Sequence, residues 1–433
     1  MPPSGSGRTR PRLPAGRAAP DVRVAVAGAG FAGLMAADVI ARSGHEVIVL
    51  EARDRVGGRV WSAELVPGDP RTVIERGGEF VLDGYDVMRS VLADLGLGLT
   101  DTGMSYYERE PRGGEPTSVA DLARIAGVVA AAAATAPPGT SLAGVAAGLT
   151  LPDWPGARAA LAGYLSRAEV TNGISAALLS ARAAADLTSG FEPRPTWRVA
   201  GGNQRLADGL AERLGGTVRL GTPVRAVRHD QSAVAVVTGD GEVRADAVIV
   251  AVPMAVLRSL PFAPALPARY LDAWRRSGLA HNAKLHVPLA APAAASAVQS
   301  VPGRFWTWTA TDGSGRVQPV LNAFAGTPDG LAALGVADGP ATWAGQAAAL
   351  RPELAADTAC ALLTTWNDDP WAGESYSALT TGMARGDEAL VAAPHGRVHF
   401  AGEHTAGDWA GLMEGALRSG ARAAAEMLEN AVS

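Results

Sequence analysis

Lysine is nearly absent from this chain. Of 38 basic residues, 37 are arginine and one, Lys284, is lysine, in the stretch SGLAHNAKLHVPL. Cysteine is equally scarce. Cys360 alone excludes an internal disulfide framework and a cysteine-based metal cluster. Its setting, ADTACALLTTW, reads as a helix with the thiol as a small core residue. Long apolar runs are missing too. The most apolar stretch, IAGVVAAAAATA, is too short for a bilayer and runs into Pro137-Pro138. The first twenty residues, MPPSGSGRTRPRLPAGRAAP, lack the apolar segment of a signal peptide and read as a solvated tail rather than a basic targeting arm. A basic surplus is also lacking: a net charge of −5 argues against nucleic acid or an anionic membrane as partner. No Ser/His/Asp set stands out, and no metal is expected from the histidines. His404, beside Glu403, reads as a structural hydrogen-bonder.

What is present is core-forming material. With 433 residues, 48% hydrophobic and 19% charged, the chain exceeds one ordinary core, so two domains are expected. The first clear pattern is VRVAVAGAGFAGLMAADVIARSGHEVIVLEA. Val22 to Ala27 reads as a buried strand, about Phe31 to Ser43 as a helix, and EVIVLE as a second strand. Between strand and helix stand Gly28, Gly30 and Gly33, spaced G-x-G-x-x-G. Gly28 permits the tight turn, Gly30 lets a pyrophosphate approach the backbone, and Gly33 lets helix pack on strand. The helix N-terminus offers free N–H groups to phosphates. Glu51, at the end of the second strand, can bind ribose hydroxyls. Just beyond it, RDRVGGRVWS brings Gly57, Gly58 and Arg59, a close-passing chain with a cation for a phosphate charge. IERGGEF repeats that pairing of glycines with charge.

Residues from about Phe80 to Pro195 are mostly Ala-rich helical text in which Tyr106, Tyr107 and EREPRGGE carry no assignable chemistry. The α/β pattern returns after Trp197, with a helix over about Gln204 to Leu214, strands around Val218, Val224 and Val234, and DAVIVAVP ending at Pro253. NAKLHVPL and GRFWTWTA read as further strands. The chain closes with a strand at Val398 to Ala401, a turn at Gly402-Glu403, and a helix from about Leu412. The dinucleotide-binding unit is therefore interrupted by substrate-side inserts.

The segments VAGAGFAGL…VLEARDRVGGR, ADAVIVAVP, TTWNDDPWAGESYS and FAGEHTAGDWAGLMEGALRSGARAA together resemble the flavin-containing amine oxidases, a family that includes monoamine, polyamine and L-amino acid oxidases. The resemblance implies an α/β fold, a Rossmann-like FAD-binding domain interrupted by an α+β substrate-binding domain. The expected parts are a tail (1–20), FAD-binding segments 21–79, 196–258 and 385–433, and substrate-side segments 80–195 (helical) and 259–384. It further implies FAD as cofactor. Its contacts would come from Gly28, Gly30, Phe31, Ala32 and Gly33; from Glu51, Ala52, Arg53, Gly58 and Arg59; and from Gly77, Gly78, Glu79 and Phe80. Val224, Pro253, Trp366, Gly402, Glu403, Leu412 and Met413 complete that set. Val224 would pair its backbone with adenine, Glu403 would take an FAD hydroxyl, and the Met413 N–H, at a helix start, would face the flavin edge that turns negative on reduction.

The resemblance also places Trp366 and Tyr376 by the flavin ring and makes Tyr376 one wall of an aromatic cage through which the amine approaches. The second wall, a tyrosine or tryptophan in the family, is Leu412 in this chain, so Leu412 and Tyr376 become the substrate-pocket residues and a bulky or branched substrate is expected. The cysteine that binds flavin covalently in monoamine oxidases is matched by Ser375, which implies non-covalent FAD. Lys284, with Trp366 and Tyr376, is a candidate catalytic residue. It matches the family lysine that points at flavin N5 and holds a water there, a task suited to a compact ammonium and not to a planar, bulkier guanidinium. The expected enzyme takes an amine or amino-acid-like substrate and O2 and releases an imine and H2O2. It is expected in the cytoplasm, with a homodimer left open. An L-amino acid oxidase, which would add a carboxylate-binding arginine such as Arg109 or Arg304, is one alternative. A non-catalytic binding protein on the same fold is another.

Overall fold

A computed structural model describes residues 22–185, 190–384 and 386–432; the expected N-terminal tail (1–20) lies outside them. The strand Arg23–Ala27 lies at the centre of a five-stranded parallel sheet. Its order is Val398–Phe400, Ala247–Val250, Arg23–Ala27, Glu46–Leu50 and Val218–Arg219, so one sheet is assembled from three distant parts of the chain. The strands are continuous apolar runs because both faces are covered. Val24, Val26, Val47 and Val49 point into one core, and Ala25, Ile48, Leu50, Val248 and Val250 into the other. The helices Phe31–Arg42 and Met413–Val432 cover the first face. They cross so closely that a Cβ on Gly420 would lie 2.2 Å from the Ala32 carbonyl oxygen.

A six-stranded sheet makes the other large layer. Its order is Leu362–Thr365, Asn282–Pro288, Val320–Gly326, Phe305–Thr309, Ser296–Ser300 and Glu110–Arg112. The register sets Lys284 opposite Phe324 on one side and Thr364 on the other. Helices Val119–Ala134, Leu142–Gly148 and Ala157–Asn172 supply most of the expected helical insert. That insert is not purely helical, since Glu110–Arg112 joins the edge of the six-stranded sheet.

Two local expectations fail. Cys360 is exposed and ends the short 3-10 turn Thr358–Cys360, with a strand rather than a helix following. The Asp357 carboxylate accepts the Ala359 N–H at 3.2 Å, and this side-chain turn competes with helix formation just where the chain enters the sheet. Val224 lies outside any strand, because Thr222-Pro223 breaks the run before Ala226–His229 begins. Among the described residues no helix is long and apolar enough to cross a membrane.

Candidate active site

One cavity runs from the first glycine-rich turn, past the start of the last helix, into the face of the six-stranded sheet. At its inner end the helix Phe31–Arg42 begins at Gly30 with no side-chain cap and no acid in its first turn. Its leading N–H groups, at Phe31 and Ala32, therefore line the cavity as an uncompensated anion site. The glycines are required by contact. Gly28 has φ +103° and its Cβ would meet the Ala251 oxygen at 2.8 Å; a Cβ on Gly33 would lie 1.9 Å from the Gly28 oxygen. Gly33 is the one expected contact residue that does not line the cavity; it packs helix on turn, as its spacing suggests. Glu51 caps the same loop: its carboxylate accepts the Ala29 N–H at 2.7 Å and the Arg53 N–H at 2.9 Å. Ala52 and Arg53 follow along the wall, and Arg53 is held by Asp369 at 2.7 Å.

The middle of the cavity is built from loops pressed together. A Cβ on Gly77 would lie 1.8 Å from the Arg59 oxygen, and one on Gly78 would lie 3.0 Å from the Met413 side chain. Gly58, Pro253, Gly402 and Met413 also line the cavity, as does Val224, which follows the turn bonded to Glu51 and Arg53. Arg59 was expected to offer its charge to a phosphate. Its guanidinium is already shared by Glu403 at 3.2 Å and Glu374 at 3.5 Å. Burial pushes the Glu374 carboxyl up to about 7, against the pull of Arg59. Glu403, also buried, accepts the Ser377 N–H and hydroxyl and the Gly411 N–H, and is held below the usual carboxylate range mainly by Arg59 against the cost of burial. A carboxylate has about four acceptor sites, so this leaves little of it for an FAD hydroxyl.

The chamber against the six-stranded sheet is aromatic. Phe80, Tyr106, Trp306, Trp308, Phe324 and Tyr376 all line it. Trp306 and Trp308 stack with ring centroids 4.2 Å apart, and the Tyr376 hydroxyl donates to the Thr171 carbonyl. Tyr376 and Leu412 face the same cavity, and the Tyr376 ring lies against Gly411, one residue before Leu412. Trp366 is buried at the junction, its indole N–H donating to the Arg76 carbonyl at 3.2 Å.

Lys284 sits where the two sections meet. Its Nζ donates to the Glu75 carbonyl at 2.9 Å and to Glu79 Oε2 at 2.6 Å. Glu79 Oε1 in turn accepts from Trp308 Nε1 at 3.0 Å and Arg198 Nη1 at 3.4 Å. Lys284 and Arg198 hold the Glu79 carboxyl below its ordinary range although burial works against them. Burial has the opposite outcome at Glu75, pushed up to about 7 with the Glu79 charge adding to the push, while the Asn203 N–H, the Ser62 hydroxyl and Arg198 compensate only in part.

Several expected residues fall elsewhere. Arg304 pairs with Glu169 at 2.8 Å and lies outside the cavity. Arg109 is fully buried behind the wall, its guanidinium 3.9 Å from the centre of the Trp306 ring and 4.6 Å from that of Tyr106. Neither ring nitrogen of His404 makes a hydrogen bond; the ring is wedged against Gly402 and held uncharged by burial, its pKa pushed down to about 4, so its part is packing. His395 and His399 stand four apart, one at an isolated bridge to Val398 and the other in the strand Val398–Phe400, and among the described residues no group of three metal-ligating side chains forms. Arg198, Trp306 and Trp308 are site residues that sequence reasoning missed. The alternation in FWTWT was the available signal, because it places both indoles on one face of a strand.

Residues 31–143 and 156–428 match the family described as flavin containing amine oxidoreductase. The chain is similar to a Mycobacterium tuberculosis protein named as a flavin-containing monoamine oxidase, AofH, with 31% identity over 94% of this chain and 96% of that one. Putrescine oxidase of Kocuria rosea is 30% identical over 62% of this chain and 64% of its own length. Among solved structures, the cyclohexylamine oxidase of Brevibacterium oxydans IH-35A superposes with a TM-score of 0.79 at 22% identity, covering 95% of this chain and 99% of that one. A putrescine oxidase triple mutant gives the same TM-score at 25% identity, over 94% and 99%.

Proposed function

From the premise that this chain belongs to the flavin-containing amine oxidoreductases, and so is an FAD-dependent oxidoreductase acting on CH–NH bonds, we propose that it is an oxidase of bulky apolar monoamines. The observation that carries this is the single cavity joining an uncapped helix start to an aromatic chamber, with Lys284 at the junction. The residues fit FAD. Phe31 and Ala32 present free N–H groups to a pyrophosphate, Glu51 stands at the ribose end, and Met413 begins a helix whose N-terminus favours negative charge. When bound, FAD would supply two-electron oxidation by hydride acceptance from the carbon alpha to the amine nitrogen, with O2 as final acceptor, so that the products would be H2O2 and an imine that hydrolyses to a carbonyl compound and ammonia or an amine.

The protein's part is binding, orientation and exclusion of water. Phe80, Tyr106, Trp306, Trp308 and Phe324 offer the amine an apolar surface, and Tyr376, tethered to Thr171, gives it one rigid wall. Leu412 on the other side leaves room for a branched or cyclic group. The acids in the cavity are taken: Glu51 by two backbone N–H groups, Glu79 by Lys284, Arg198 and Trp308, and Glu403 by Arg59, Ser377 and Gly411, while Asp408 is exposed. A diamine's second ammonium would therefore lose its hydration without gaining a buried partner. Neither arginine expected for an L-amino acid's carboxylate is available to it, since Arg109 is walled off and Arg304 lies outside the cavity.

Lys284 spends two of its three N–H groups on protein acceptors, leaving one for a water facing the cavity. Its charge there would favour the first electron transfer to oxygen. Lys284→Met and Lys284→Arg should still bind FAD and still be reduced by amine. Their reoxidation by O2, followed by stopped-flow, should slow at least about tenfold, or about 1.4 kcal/mol of barrier. A wild-type reoxidation rate in both would refute the role. Peroxide release across a panel of monoamines, diamines and L-amino acids tests the substrate class.

A further inference from the structure

We propose that Glu79 is a positioning residue that fixes both the direction and the net field of the Lys284 ammonium, and so sets how easily the bound flavin is reduced. The inference deepens the oxidase reading and rests on it only for the location of the flavin. Glu79 leaves the glycine pair Gly77-Gly78, which is clamped between the Arg59 backbone and the Met413 side chain, so its Cα has little freedom. From there its carboxylate reaches the Lys284 ammonium through one oxygen and the Trp308 indole and Arg198 guanidinium through the other. Arg198 is itself held by the Gln318 side-chain oxygen at 2.6 Å and the Thr311 carbonyl at 3.0 Å. Lys284, through the Glu75 carbonyl, and Arg198 are thus each held by a partner besides the carboxylate.

Two consequences follow from charge and geometry. An ammonium with three N–H groups, two of them fixed by Glu79 and the Glu75 carbonyl, can direct the third along one line only. The carboxylate also cancels one of the two positive charges of Lys284 and Arg198. Without it Lys284 on the cavity wall and Arg198 behind it would lose their shared counter-charge in a low-dielectric setting, where charge acts over longer distance than in water, and only the Glu75 carboxyl, whose charge burial disfavours, would stand near them. Reduced flavin bears negative charge, so Glu79 makes reduction harder than Lys284 and Arg198 alone would.

The test uses the FAD-loaded full chain, with potentials measured by dithionite titration against reference dyes. Glu79→Gln keeps the side-chain shape and removes the negative charge; it should shift the reduced-to-oxidised flavin equilibrium about tenfold toward reduced, about 30 mV upward for a two-electron couple. Lys284→Met should shift it the other way, and Glu79→Gln combined with Lys284→Met should return close to wild type. Glu79→Asp, which keeps the charge, should stay within about threefold. Equal potentials in wild type and Glu79→Gln, or shifts of the same sign in Glu79→Gln and Lys284→Met, would overturn the proposal and leave Glu79 a structural partner. Because no amine enters the titration, loss of the substrate reading would not alter this result. Should Glu79→Gln fold poorly, Arg198→Met, which removes a cation from the same carboxylate, must shift the equilibrium toward oxidised; no shift there also counts against it.

Discussion

Replacing Lys284 by methionine should destabilise the protein through the carboxylate it leaves behind. The ammonium and Glu79 Oε2 are 2.6 Å apart, and both side chains are nearly sealed from solvent. At an effective dielectric constant of about 20, charges that close attract by about 6 kcal/mol, a gross figure against which burial of both ions must be set. Removing one partner of a buried pair costs about 3–5 kcal/mol because the other stays buried and uncompensated. Glu79 keeps Arg198 at 3.4 Å and the Trp308 N–H at 3.0 Å, so the lower end, about 3 kcal/mol, applies. A chain of 433 residues has an unfolding entropy of about 0.9 kcal/mol/K, which translates the loss into about 3 °C of Tm. The assay is urea unfolding followed by circular dichroism at one fixed, saturating FAD concentration, since ligand linkage would otherwise move the midpoint. Adding Glu79→Gln to Lys284→Met should recover at least half of the loss, because the stranded charge is then gone. A single mutant within about 1 kcal/mol of wild type, or a double mutant no more stable than the single, refutes the reasoning.

By the family resemblance Ser375 matches the position where a thiol would be needed for covalent flavin, and its hydroxyl lies 2.8 Å from the Ala280 carbonyl and 2.7 Å from Asn282 Oδ1, which share its one proton; acid precipitation should release all yellow colour, and a pellet that stays yellow would contradict this. Leu412→Tyr should raise activity on small amines such as benzylamine relative to bulky ones, measured as the ratio of kcat/KM values, whereas equal slowing of all amines would show that Leu412 is no cage wall. Glu75 has a folded-state pKa near 7, above its ordinary 4.5, so its ionisation opposes folding above pH 7 and the penalty vanishes below pH 4.5. Glu75→Gln should therefore gain up to about 3 kcal/mol at pH 8 and nothing at pH 4.5 in denaturant titrations, and a gain independent of pH would exclude titration as its cause.

Much of the cofactor end was legible in the residues alone, because its determinants are local. A strand, three glycines at fixed offsets, a helix and an acid lie within about thirty residues and need only backbone sterics and a helix dipole to make an anion site. Gly33, Glu51 and the helix start at Phe31 stand where those rules put them. The resemblance extended this to Lys284, Tyr376 and Leu412 and brought all three to one cavity. What the sequence left hidden were partnerships between distant segments. Nothing in IERGGEF says that Glu79 will meet Lys284, 205 residues on, or share its other oxygen with Arg198 and Trp308. The resemblance gives Arg59 and Glu403 each to the cofactor, yet folding pairs them with one another and shares Arg59 with Glu374 as well. Arg109 was one arginine among 37 until two aromatic rings closed over it. A buried charge must find its counter-charge wherever the topology supplies one. Chain order therefore determined which groups the protein possesses, and only tertiary packing decided which of them remain free to act.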